Sequence, residues 1–119
     1  MKIIYANHKV EQQCTDLKVA TKSFGGNSIM ARSLHARINA IEQASVIKDI
    51  TSMPQFHFHH LIGKRKGYFA IDVKSRSDKW RIILQPLNDQ EEPFDPCNID
   101  EIAAIVKIVE IREVSAHYE

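Results

Sequence analysis

Phe56-His57-Phe58-His59-His60-Leu61, Tyr68-Phe69-Ala70-Ile71-Asp72-Val73 and Trp80-Arg81-Ile82-Ile83-Leu84 are three apolar-rich stretches that decide how the chain folds. The first two alternate with a period of two, that of a pleated strand whose side chains point to opposite faces in turn. Phe56 and Phe58 then share a face, as do Phe69, Ile71 and Val73. Between the first two stretches lies Gly63-Lys64-Arg65-Lys66-Gly67, two glycines flanking three cations, which predicts a hairpin turn presenting charge outward. Pro86 is expected to turn the chain after the third strand, and residues 88–98, with Pro93, Pro96 and several acids, to form a loop. Ile105 to Val114 predicts a last strand, apolar enough at Ile105, Val106, Ile108 and Val109 to lie inside a sheet.

Upstream the period lengthens. Ile3-Ile4-Tyr5 is a short apolar strand, and Asn7 is placed to cap a helix carrying Val10, Cys14, Leu17 and Phe24 on one side. Gly25-Gly26 stop that helix and Asn27-Ser28 cap the next, where Met30, Leu34, Ile38 and Ile41 form an apolar stripe. Arg32, His35 and Arg37 lie off the stripe. The second helix must end before Pro54, whose ring drives Met53 out of the helical region. The expected fold is α+β: an N-terminal strand and a two-helix hairpin packed on an antiparallel-rich sheet of about four to five strands.

One domain spanning residues 1–119 is expected, because 119 residues with 44% hydrophobic and 26% charged residues fit a single folded unit. Two cysteines exclude a disulfide-rich scaffold and read as free thiols. No apolar run approaches the roughly 18 residues of a membrane span. The opening Met1-Lys2-Ile3-Ile4-Tyr5-Ala6 reaches Asn7-His8-Lys9 too soon for a signal peptide, so the expected location is the cytoplasm, away from membranes.

The net charge of +1 hides a segregation. Residues 64–81 hold Lys64, Arg65, Lys66, Lys74, Arg76, Lys79 and Arg81 against Asp72 and Asp78, whereas residues 82–119 hold Lys107 and Arg112 against nine acids. A basic field that dense attracts phosphate whatever the balance of the whole chain. The glycine-flanked turn lacks the Gly-x-x-x-x-Gly-Lys-Ser/Thr pattern of a nucleotide loop, so polyanion contact suits it better. His57 and His59 share a strand face, a spacing that metal sites use, but no third ligand accompanies them. No metal and no cofactor is expected.

Three stretches taken together, His59 to Val73, Trp80-Arg81-Ile82, and Glu113 to Tyr118, resemble the HigB branch of the RelE/ParE superfamily of type II toxins. The resemblance runs along nearly the whole chain, and His59 to Tyr68 carries most of it. It implies a toxin that enters the ribosomal A site and cleaves mRNA there without a metal. It also implies neutralisation by a HigA-like helix-turn-helix antitoxin, through which alone operator DNA would be reached. Residue by residue, His59 falls on the catalytic histidine and Arg81 on the arginine that supports the scissile phosphate. His117 and Tyr118 fall in the terminal cluster, with Ala116 where that cluster has its acid. Lys64, Arg65, Lys66, Lys74, Arg76 and Lys79 are the expected contacts to ribosomal RNA.

Chemistry supports the same residues. Cutting RNA without a metal needs a base for the 2′-hydroxyl, cations for the phosphorane and an acid for the leaving 5′-oxygen. One neutral and one protonated histidine supply the first and last, and the planar arginine fork suits phosphate oxygens. Arg81→Ala is accordingly expected to remove cleavage and leave the fold intact. The competing expectations are a ParE-like toxin that inhibits a protein target such as DNA gyrase and cleaves nothing, and an RNA-binding module without activity. The acids Asp89, Glu91, Glu92, Asp95, Asp100 and Glu101 read as a solvated run, or as a shield for the basic hairpin or an antitoxin contact.

Overall fold

The computed structural model describes residues 1–116, with Arg65 described in its backbone only. In chain order the elements are β1 (Lys2–Tyr5), α1 (His8–Thr15), α2 (Leu17–Ser23), α3 (Ser28–Gln43), α4 (Lys48–Thr51), β2 (His59–His60), β3 (Phe69–Asp72), β4 (Arg81–Leu87), α5 (Ile99–Ile102) and β5 (Ile108–Ser115). The strands form one five-stranded sheet in the order β1-β5-β4-β3-β2. β1 runs parallel to β5, and every other pair is antiparallel. The fold is therefore the expected α+β arrangement, with β5 interior to the sheet.

Helices cover one face. Val10, Ala20, Leu34, Ile38 and Ile41 pack with Phe69, Ile71, Ile82, Leu84, Val109 and Ile111 in a single buried core. The alternation is visible in β4, where Ile82 and Leu84 enter that core and Ile83 joins Leu61, Ala70 and Tyr68 in a small cluster on the other face. Trp80 meets Phe24 edge-on at 4.9 Å, and Phe58 stacks on Phe69 at 5.0 Å.

The local expectations need four corrections. The first helix is two, because Asp16 interrupts it with an extended backbone. Asp16 closes α1 by donating its N–H to the Gln12 carbonyl at 2.9 Å. Its Oδ1 then opens α2 by accepting from the Lys18 and Val19 N–H groups at 2.9 and 3.3 Å. α3 ends at Gln43, within the limit set by Pro54, but the last strand starts only at Ile108, so Ile105, expected inside the sheet, lies in the turn before it and is exposed. The strand expected over 56–61 shrinks to His59–His60. His57 adopts a left-handed φ of 49°, which ends the turn at 54–56 and breaks the alternation, so Phe56 drops into the core. Finally, β4 continues through Pro86, which pairs opposite Val109. β3 extends only as far as Leu84, so Pro86 has a strand neighbour on one side alone and its missing N–H is tolerated there.

Replacing the shared cap by Asp16→Ala should cost about 1 kcal/mol. Urea denaturation followed by circular dichroism should show a lower midpoint at unchanged slope, with Asp16→Asn retaining most of the stability.

Candidate active site

The face of the sheet without helices is built by register. Across the strands His59 pairs opposite Ala70, Ala70 opposite Ile83, and Ile83 opposite Glu113. Two residues along each strand, Asp72 pairs opposite Arg81 and Arg81 opposite Ser115. His59 and Glu113 are thus three strand spacings apart, about 14 Å, and the Asp72–Arg81 pair sits on the row beside them.

Asp72 and Arg81 are nearly closed to water, with side chains 2% and 8% exposed. Arg81 Nε lies 3.2 Å from Asp72 Oδ1. The rest of the guanidinium is occupied by the backbone of its own hairpin. Nη1 donates to the Asp78 and Trp80 carbonyls at 2.7 and 2.8 Å, and Nη2 donates to the Arg76 carbonyl at 3.2 Å. The same Asp72 oxygen also receives His57, whose Nδ1 is 3.3 Å from Oδ1. Arg37 reaches over from α3, donating from Nε to the Asp72 carbonyl at 2.9 Å and from Nη2 to the Gln55 and Lys74 carbonyls at 3.2 Å. Its guanidinium lies over the Phe56 ring at 4.6 Å. Burial lowers the Arg37 guanidinium from its ordinary range, while Asp72 and Asp78 act in the opposite sense.

His59 stands on the edge strand with its ring 4.6 Å from that of His57, tilted by 34°. Its Nδ1 is 2.8 Å from the His57 carbonyl oxygen. A carbonyl only accepts, so Nδ1 carries the hydrogen of that bond. His59 also lines a groove of about 260 Å³ with His60, Phe58, Phe69, Ile99 and Asp100. A positioned imidazole at the mouth of a groove is suited to proton transfer.

The structure thus brings His59 and Arg81 onto one face, linked through His57 and Asp72. The basic field divides in two. Lys74, Arg76 and Lys79 are exposed on the β3–β4 hairpin beside Arg81, whereas Lys64 and Lys66 are exposed in the turn at the opposite end of β3. The side chain of Arg65 lies outside the described part, as do His117 and Tyr118. The acidic segment sits at the Lys66 end, where Asp100 and Lys66 line one groove and Glu91 pairs with Lys2 at 2.6 Å. Sequence reasoning missed Arg37 and the roles of His57 and Asp72. Asp72 carried a signal, since an acid inside Phe69-Ala70-Ile71-Asp72-Val73 has to be buried against a cation. Arg37 carried none.

Among the described residues no group of three His, Cys, Asp or Glu side chains is placed to hold a metal, and no helix is long and apolar enough to cross a membrane. Both cysteines are free thiols, and burial pushes that of Cys14 up to about 12.

The helices on one face of a five-stranded mixed sheet form an α+β fold that a solved structure shares. The chain is similar to a solved structure of the YoeB–YefM complex from Staphylococcus aureus, with a TM-score of 0.53, 11% sequence identity, and coverage of 99% of this chain and 98% of that one. No family model matches the sequence, and no curated protein matches it.

Arg81 is more than a surface cation, and this corrects the expectation that Arg81→Ala leaves the fold intact. Removing it strands a carboxylate in the interior and should cost about 3–5 kcal/mol. The Asp72→Ala, Arg81→Ala double variant should be less destabilised than the sum of the two single ones, measured as a double-mutant cycle by urea denaturation.

Proposed function

We propose that this chain is the toxin of a toxin–antitoxin pair and that it cleaves mRNA on the ribosome. The observation that carries this reading is the shared open face, where His59, the Asp72–Arg81 pair and the end of β5 meet beside the exposed Lys74, Arg76 and Lys79. His59 and His117 divide the proton transfers, one taking the proton of the 2′-hydroxyl and the other giving one to the departing 5′-oxygen. Tyr118 positions the RNA or stacks on a base. Ser115 ends β5 opposite Arg81, and His117 and Tyr118 follow within three residues.

Arg81 serves this chemistry from behind the surface. Its charge lies under the β3–β4 hairpin, and its bonds to the Arg76, Asp78 and Trp80 carbonyls hold the backbone that carries Arg76 and Lys79. The phosphorane charge is therefore met by a hairpin ordered in advance, with Arg81 adding to the field. The exposed cations at both ends of β3, together with Arg65, hold ribosomal RNA. The partner in the resting state is a HigA-like helix-turn-helix antitoxin, as the HigB resemblance implies, and the action is cytoplasmic because ribosomes are there.

Primer extension on a defined mRNA in a reconstituted translation reaction tests this. Cleavage should appear only when ribosomes translate, and His59→Ala and His117→Ala should each lower it by roughly 10²–10⁴. Intact mRNA, or growth arrest that persists in both variants, would instead identify a ParE-like inhibitor of a protein such as DNA gyrase.

A further inference from the structure

Behind β5, away from His59, a cavity of about 530 Å³ opens between the start of α1 and the last turn of the sheet. Its walls are Val10 and Gln13 from α1 and Val114 from β5, with Lys9, Arg112 and Glu113 at the rim. Arg112 is the extra residue of a bulge: Ile83 pairs opposite Glu113 but Leu84 opposite Ile111, so Arg112 has no strand partner and its side chain is exposed. Bulges redirect side chains in this way. Lys9 is exposed on the facing helix.

Gln13 is the informative residue. It is only 9% exposed, yet its side-chain amide makes no hydrogen bond to any described residue, while its backbone carbonyl accepts from His35 Nε2 at 3.1 Å. The rest of the side chain is packed away while the amide nitrogen and oxygen still reach the solvent of the cavity, so both are free to pair with a ligand there. An amide of this kind offers a donor and an acceptor side by side, the pattern that matches the edge of a nucleobase. Val10 and Val114 supply apolar wall for the flat face of a base, and Lys9 and Arg112 supply charge for a phosphate.

We infer that this cavity binds one unpaired nucleotide of an RNA strand, with its base edge on Gln13 and its phosphate between Lys9 and Arg112. Glu113 belongs both to the rim of the cavity and to the row that contains His59, so the strand passes from one site to the other across the open face. The choice of RNA as ligand rests on the nuclease reading above. The occupied cavity then fixes which nucleotide lies at His59, and it acts as a register stop rather than as part of the cutting machinery.

The ¹⁵N-¹H spectrum of the whole chain reads this directly, because the Gln13 amide has its own pair of resonances. Titration with a single-stranded 2′-O-methyl RNA hexamer, which is not cleavable, should move that pair. Binding should weaken roughly ten-fold in Gln13→Ala. In the Lys9→Gln, Arg112→Gln double variant it should weaken similarly and lose about 1.4 from its log–log salt slope. Both cations are exposed, so that variant keeps its fold. Gln13 resonances that stay fixed overturn the inference, as does a response to inorganic phosphate at Lys9 and Arg112 with none at Gln13, which marks an anion site only. A chain that leaves mRNA intact yet shows the Gln13 shift keeps the cavity as an RNA site and loses the nuclease reading. A chain that cleaves mRNA with Gln13 unmoved loses only the cavity.

Discussion

The ion pair between Asp72 and Arg81 is the contact on which the open face of the sheet rests. Two charges are withdrawn from water at the point where β3 gives way to its hairpin and β4 begins. Such a pair gains little net stability, because desolvation offsets most of the attraction. Its value is in registry. A slip of one residue between β3 and β4 would turn Asp72 toward the apolar core beside Ile82 and Val109, where nothing neutralises it. The same carboxylate then orients His57, His57 supports the ring of His59, and the guanidinium ties down Arg76 to Trp80. One buried charge pair therefore sets the positions of an imidazole on one side and a cationic hairpin on the other.

How much of this was legible varies with the kind of force involved. Burial patterns were readable: the alternation in Tyr68 to Val73 and the stripe of Met30, Leu34, Ile38 and Ile41 each placed their side chains correctly, since hydrophobic period is a local property. Backbone interruptions were not. Asp16 reads as one polar residue within a helical period, and only its caps in both directions reveal the break. His57 at positive φ gives no signal in a stretch that alternates well on paper. Pro86 misled for the opposite reason, since a general rule about proline in strands yields when the neighbouring strand has already ended.

The site was half legible. His59 and Arg81 stood out through a family resemblance and through their chemistry, and they do share a face. That Arg81 faces inward, with its donors spent on carbonyls, depends on the hairpin's three-dimensional path and not on residue spacing. The charge segregation along the sequence turned out to be a segregation in space as well, but along a different line. The acidic 88–101 segment and the Lys64–Lys66 turn share one end of the sheet, and Lys74, Arg76, Lys79, Lys9 and Arg112 share the other. A nearly neutral chain thus presents one strongly cationic end, which orients it toward a polyanion before contact.

The parallel seam between β1 and β5 has a consequence in time. Residue 2 pairs with residue 108 and residue 5 with residue 111, so the opening strand waits for almost the whole chain before it finds its neighbour. At about 5–20 residues per second of synthesis, the first strand spends seconds without its partner, and contacts this distant in sequence are slow to form. β5 also carries the residues that face Arg81 and Ile83 and one wall of the α1 cavity. The open face of the sheet is for that reason assembled last: the helices can gather early, but the row that runs from His59 to Glu113 closes only after the ribosome has finished the segment that completes it.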